Sequence, residues 1–257
     1  MPTISTIIIT KNEEQHIQDC IETALWTDEI IVLDSGSSDR TQEICKEYVP
    51  KVKLYVTDWP GYGKQKNRAL ELANSDWILS IDADERITPE LQAEILQVIS
   101  SNSDCVAYQI PRVTYFYNRP MRYCFRSISD APTRMIKKGE GRFTDATIHE
   151  TLLASGKIKK LKSSLKHFSC DNLADVINKI NSYSTLGALN LKQAQKKVNF
   201  AQVLAHAGWT FIKIYFLRLG FLDGWPGFLT SLSHAEGSFY KYAKLLEKNY
   251  IKTRESN

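Results

Sequence analysis

The sequence has little that would place it among disulfide-stapled, fibrous or membrane-spanning proteins. Its five cysteines (Cys20, Cys45, Cys105, Cys124 and Cys170) are odd in number and far apart, and no C-x-x-C pair occurs. That excludes a zinc knuckle and a dithiol redox motif, and predicts reduced thiols without a chemical role. The first apolar stretch, Ile4 to Thr10, is too short for a secretory leader and lacks a basic lead, so a cytoplasmic location is expected. Neither G-x-G-x-x-G nor G-x-x-x-x-G-K-[ST] is present, which removes the support for a dinucleotide fold and for a P-loop. Internal repeats and low-complexity tracts are also missing.

What is present suits a globular chain with two jobs. Of 257 residues, 43% are apolar and 24% charged, enough to bury a core and too apolar for disorder. The net charge of +4 hides an asymmetry: residues 1–156 carry 17 Lys and Arg against 23 Asp and Glu, whereas residues 157–257 carry 16 against 6. A basic C-terminal part can face nucleic acid, an anionic membrane or an anionic acceptor.

The first hundred residues alternate strand and helix signals. Thr6–Thr10 is a short β-branched run, the mark of a buried strand, and Glu29–Leu33, Val52–Val56 and Trp77–Ile81 read as further strands. Between them lie helix signals: one with Asn12 as cap and Glu13 and Glu14 in its first turn, one over Thr41–Val49, and one over Lys66–Ala73 after a Gly61–Gly63 loop. Pro89–Ser100 follows the last strand as a helix started by Thr88. This order predicts an α/β fold with a parallel sheet, its strand C-termini gathered at one edge where such folds bind ligands. Residues 105–170 read as short strands over the sheet edge. Leu173–Lys196, Phe200–Leu219 and Ser231–Lys248 read as helices.

Three motifs carry chemistry. Asp82-Ala83-Asp84 follows an apolar strand and offers hard oxygen ligands for Mg²⁺ or Mn²⁺, which a diphosphate completes. A helix-capping loop with solvated acids is the competing reading. Asp34-Ser35-Gly36-Ser37-Ser38-Asp39 puts an acid at a strand end, where it can accept from a base or ribose, and a Gly loop that a ligand can approach. An ordinary turn, with Asp39 capping the next helix, is the alternative. Gly61 to Arg68 joins a flexible loop to a basic helix start that can meet phosphates or remain solvated.

In this order and spacing the motifs resemble the GT-A glycosyltransferases of family 2. The segment Thr10-Lys11-Asn12-Glu13, the V-D-[DS]-G-S-x-D-x-T pattern at Leu33 to Thr41, the G-x-x-x-x-x-N loop at Gly61 to Asn67 and the D-x-D all match. Farther on, Ile148-His149-Glu150-Thr151-Leu152, Lys166-His167-Phe168-Ser169, Arg218 to Gly224 and Lys241 to Leu245 are similar to bacterial lipopolysaccharide-core glucosyltransferases of the WaaE/KdtX type. Asp130 and Arg134 keep that family's D-x-x-x-R spacing, while Ala131, Pro132 and Met135 depart from it.

The resemblance implies a GT-A nucleotide-sugar-binding fold, a Rossmann-like, mostly parallel sheet flanked by helices, over residues 1–170. Residues 1–100 would form its donor-binding half and residues 101–170 its acceptor side, with residues 171–257 a basic helical extension. It implies an inverting enzyme moving glucose from UDP-glucose to an inner-core heptose of lipopolysaccharide, with Mg²⁺ or Mn²⁺ as cofactor. Thr10, Asn12, Glu13, Asp34, Ser35, Gly36, Lys66, Asn67, Asp82, Ala83 and Asp84 would bind the donor, with Asp84 on the metal. Glu150 is the base expected, with Asp130 and Asp145 as rivals. Asp130, Arg134 and His149 are expected on the acceptor side: His149 would orient Glu150, contact phosphate or pack structurally, and Arg134 and His167 would contact donor phosphate or acceptor or serve core salt bridges.

Val198 to Ile212 holds no Asp, Glu, Lys or Arg, and aromatic residues beside Lys213 and Arg218 follow it. The region is too polar for a spanning helix and suits one lying in the headgroup layer, on the inner face of the cytoplasmic membrane. An aromatic helix packed on the core is the alternative. Other functions remain compatible with the first hundred residues: transfer of another UDP-sugar, a polyprenyl-phosphate acceptor, or silent nucleotide-sugar binding. Nucleic-acid binding is disfavoured, because no helix–turn–helix or RNP-like motif accompanies the basic residues.

Overall fold

The computed structural model describes residues 1–101, 103–116, 118–125, 131–145, 150–170 and 172–255, except the side chains of 169, 170 and 251–255. The elements run β1 (Ile4–Thr10), α1 (Ile17–Ala24), β2 (Glu29–Asp34), α2 (Thr41–Glu47), β3 (Val52–Val56), α3 (Tyr62–Leu72), β4 (Trp77–Asp82), β5 (Glu85–Arg86) and α4 (Pro89–Ser100). Then follow β6 (Cys105–Gln109), β7 (Arg112–Phe116), β8 (Arg119–Pro120), β9 (Thr133–Lys137), β10 (Gly141–Phe143), β11 (Leu152–Ala154), β12 (Lys157–Lys160) and β13 (Leu165–Cys170). Helices α5 (Leu173–Gln193), α6 (Phe200–Ile212) and α7 (Trp225–Glu255) complete the chain. The chain divides into two units: Met1–Val113 with Ser127–His167, and Thr114–Arg126 with Phe168–Asn257.

The first unit is built on a seven-stranded sheet in the order β12-β6-β9-β4-β1-β2-β3. Strands β4, β1, β2 and β3 are parallel, as the alternation of strands and helices predicts, and β9 enters antiparallel between β4 and β6. Every residue of β1 and of β2 is buried, so neither strand alternates apolar with polar. Their side chains divide between two cores instead. Ile4, Ile8, Ile30 and Val32 pack with α1, α2 and α4, while Ile7, Ile9, Ile31 and Leu33 pack with Ala69 and Ala73 and with Phe143 and Leu152. Helix α1 shows the matching period: Ile17, Cys20, Ile21 and Ala24 are its buried positions. Helix α4 spans the residues expected, with Thr88 accepting from the Leu91 N–H at 3.1 Å and Pro89 at the first turn.

Two starts differ from expectation. Asn12 caps no helix; it takes a positive φ of 56° and its side chain accepts from the Ser38 N–H at 2.8 Å, pinning the Ser37–Ser38 loop while α1 begins at Ile17. Helix α3 begins at Tyr62, so Gly63 lies inside it. A Cβ on Gly63 would stand 1.8 Å from the carbonyl oxygen of Thr144, so only glycine lets the helix approach that backbone.

In the second unit, α6 opens with a capping box between Asn199 and Gln202 and stops at Ile212, earlier than expected, passing into a π-turn over Lys213–Leu217. The ammonium of Lys244 on α7 stands 2.7–2.9 Å from four oxygens of α5, on Asn181, Ser184 and Thr185, which share its three N–H groups. The Asp223 carboxylate accepts the N–H groups of Arg122, Tyr123 and Cys124 at 3.0, 3.1 and 2.9 Å. Among the described residues no helix is long and apolar enough to cross a membrane. Cys20, Cys45, Cys105 and Cys124 are free and buried, in line with idle thiols.

Candidate active site

Sheet register brings the site together within the first unit. The chain winds from β1 to β2 and β3, then places β4 on the opposite side of β1. A topological switch therefore falls at β1, and a crevice at such a switch is where parallel sheets bind ligands. Thr10 lies beside Asp34, and Ile9 beside Asp82, at the C-terminal ends of three neighbouring strands.

On the β2 side, Asp34 is fully buried and organises its own loop. Its Oδ1 accepts from the N–H groups of Gly36 and Ser37 and from Gln42 at 2.7–3.0 Å, and its Oδ2 accepts from the Ser37 hydroxyl. Asp34 thus shapes its own loop, and its Oδ2, with a single bond, keeps a lone pair for a ligand. Ser35 accepts from Gln65 at 3.1 Å, and Gly36 keeps a φ of +76° with open space around it. Glu13 donates its backbone N–H to Thr41 at 2.8 Å, which ties the β1 loop to α2. The Thr10 hydroxyl is buried without a partner, and a bound ligand would satisfy it.

On the β4 side, a line of alternating charges runs through the site. The Lys66 ammonium stands 2.7 Å from Glu150 Oε1 and 2.9 Å from Asp82 Oδ1. Asp82 Oδ2 accepts from Arg134 at 2.6 Å, and the same Nη2 donates to Glu85 at 2.7 Å. Arg112 closes the line 3.5 Å from Glu85. Burial works to raise the Asp82 pKa, but the charges of Arg134 and Lys66 prevail and hold it well below the usual carboxylate range. For Glu85 burial wins, and its pKa rises despite Arg134. Burial pulls Arg134 down, yet the two carboxylates raise it overall.

Asp84 stands apart from this line. Its Oδ2 lies 3.3 Å from His167 Nε2, and the Nδ1 of that ring is buried without a partner. Burial lowers the His167 pKa, but the bond to Asp84 and the charges of Asp84 and Glu85 raise it on balance. Among the described residues, no three His, Cys, Asp or Glu side chains stand close enough to hold a metal ion alone. The Asp84 carboxylate is a hard oxygen donor that fits Mg²⁺ or Mn²⁺ when phosphate oxygens supply the rest, and the softer His167 imidazole can join it only as the neutral ring. Asp82, by contrast, already has a cation on each oxygen, Lys66 on Oδ1 and Arg134 on Oδ2.

Other expected residues have different surroundings. The Asn67 amide is spent on the backbone of Phe143, accepting at 2.7 Å and donating at 2.9 Å, so it fixes the strand that leads toward Glu150. Ala83 is buried and Asp145 is exposed. Asp130 and His149 lie outside the described residues. Sequence reading missed Glu85 and Arg112. Glu85 directly follows the D-x-D, but nothing in the sequence shows that it is fully buried.

A mixed sheet with its switch at β1, and two acids at and just beyond the end of β4, is the frame of the GT-A fold. The chain belongs to glycosyl transferase family 2, whose model matches residues 5–151. It is 34% identical to an uncharacterized glycosyltransferase of Rickettsia typhi, over 96% of this chain and 88% of that one. It is 28% identical to the lipopolysaccharide core biosynthesis glycosyltransferase LpsC of Rhizobium meliloti, over 98% of this chain and 94% of that one. Among solved structures, Staphylococcus aureus TarS is similar, with a TM-score of 0.46 and 17% identity over 97% of this chain and 92% of that one.

Proposed function

We propose that this glycosyltransferase moves a hexose, glucose by resemblance, from a UDP-sugar to a heptose of the lipopolysaccharide core, with inversion at the anomeric carbon. The observation that carries the chemistry is Lys66, which joins Glu150 to the D-x-D pair through contacts of 2.7 and 2.9 Å although the two acids are far apart in sequence. The LpsC name and the similarity over nearly the whole of both chains support the acceptor class.

In this reading Thr10, Ser35 and the open Gly36 loop receive the nucleoside, and Asp34, Asn12 and Glu13 hold that loop in shape. Lys66 and Arg134 keep Asp82 ionised and bring positive charge to the diphosphate. Asp84 and His167 would hold Mg²⁺ or Mn²⁺, which supplies positive charge to the departing diphosphate. Glu150 accepts the proton of the acceptor hydroxyl as its oxygen bonds to the anomeric carbon, and UDP leaves from the opposite face. Asp130 and His149 are assigned to the acceptor side by resemblance alone.

Attachment to the inner face of the cytoplasmic membrane belongs to the same proposal. The second unit carries 14 Lys and Arg against 6 Asp and Glu. Trp209, Ile212, Phe216, Leu217, Leu222 and Trp225 are all more than two-fifths exposed within that unit, an apolar display that suits a headgroup layer.

Glu150→Gln is the direct test of the base. It keeps the shape and the bond to Lys66 but cannot accept a proton, so transfer should fall about 10²–10⁴-fold. UDP-glucose binding, measured by calorimetry, should be retained. Unchanged transfer would remove Glu150 from that role.

A further inference from the structure

The second unit contains a cleft of about 530 Å³, well within the ~300–1,000 Å³ of small-molecule sites. It has no part in the transfer chemistry. Its walls are largely apolar, with Phe116, Phe125, Val176 and Ile180 among them. The helix faces lining it carry small residues: Thr230, Ser233 and Gly237 on α7, and Ser184 on α5.

Gly237 is not explained by packing. A Cβ there would meet only the Ile180 side chain, at 4.0 Å. The effect of the glycine is to leave the cleft open. The charged residues on the lining that carry a permanent charge are Lys179 and Lys241, both cationic. The aliphatic stem of Lys241 lies near Gly187, and its ammonium sits 4.7 Å from the Tyr242 ring centre. The other titratable wall groups are Tyr183 and His234, and burial and the Arg218 charge lower the pKa of His234.

We infer that this cleft is a binding site for one alkyl chain of an anionic amphiphile, with the chain between α5 and α7 and the acidic head at Lys179 and Lys241. The apolar walls give the chain a place out of water. The lysines select an anion over a neutral or cationic head, and the basic balance of the whole unit draws such molecules in. This inference does not rest on the transferase reading. The shared chemistry, an alkyl chain with an anionic head, belongs both to free fatty acids and to membrane phospholipids.

The test uses the full-length protein and the fluorescent fatty acid cis-parinaric acid. Saturable binding with one molecule per chain is expected. Gly237→Phe, which fills the cleft, should weaken it about tenfold or more. Lys241→Glu, a change at a partly exposed side chain, should weaken the acid several-fold and leave its neutral methyl ester unaffected. Circular dichroism of both variants establishes that they are folded. Displacement by myristate alone would identify free fatty acid as the occupant, and displacement also by lysophosphatidylglycerol would identify a membrane lipid. Partition without saturation, or equal affinity in folded Gly237→Phe and Lys241→Glu, would overturn the site.

Discussion

Arg134 shows how a buried charge can order a site. One nitrogen serves both Asp82 and Glu85, at 2.6 and 2.7 Å, and the side chain is 4% exposed as a residue. Removing one partner of a buried ion pair leaves the other charge uncompensated, which commonly costs 3–5 kcal/mol. Asp82 keeps Lys66 and Glu85 keeps Arg112, so Arg134→Met should cost about 3 kcal/mol in urea unfolding, near the low end of that range. Transfer should be lost as well, because Asp82 loses its fixed orientation. A variant of wild-type stability would show that the pair contributes nothing net. At this scale the sequence was only partly legible. The D-x-D and Glu150 stand out as acids in a motif, but that Asp82 is held by two cations, or that Asp34 bonds its own loop through both oxygens, follows only from the backbone path around them.

Elements were more legible than side chains, for a physical reason. Strands buried on both faces are rich in apolar residues through most of their length, so β1, β2 and β4 announce themselves. Glycine is harder to read. Gly61 and Gly63 suggest a loop, whereas one has a positive φ just before α3 and the other lets α3 touch the Thr144 carbonyl. Gly63→Ala tests that contact. The obstructing atoms are backbone and cannot turn aside, so the cost should be about 1–3 kcal/mol, as for other overpacked sites. Because Thr144 lies on the path to Glu150, transfer should fall more than stability alone explains. Full activity and stability would show that the helix relaxes freely. The short strands between residues 105 and 170 were legible as strands but not as partners: nothing in β9 states that it will enter antiparallel between β4 and β6. Pairing of this kind depends on distant segments.

At the scale of the whole molecule, the charge asymmetry of the sequence takes a structural form. The two units divide the chain at Val113, Arg126 and His167, and residues 114–126 group with the C-terminal helices, adding three arginines and no acid to the basic unit. Composition alone could not assign that segment. If the basic unit meets a membrane, the protein should cosediment with vesicles containing phosphatidylglycerol and much less with phosphatidylcholine alone. Salt should weaken the binding, since the Debye length falls from about 10 Å at 0.1 M to about 3 Å at 1 M. Serine at Trp209, Phe216 and Trp225 together should release it. Equal binding to neutral vesicles at high salt would contradict an electrostatic contribution. Sugar transfer is the activity to measure first, and UDP release reports it directly. Purified protein is incubated with Mg²⁺ or Mn²⁺ and UDP-glucose, with and without heptose-containing core lipid A. UDP release that requires the acceptor, and that Glu150→Gln abolishes, is the predicted result; release that proceeds equally in the Glu150→Gln variant, or none from any UDP-sugar with folded protein and that acceptor, would contradict it.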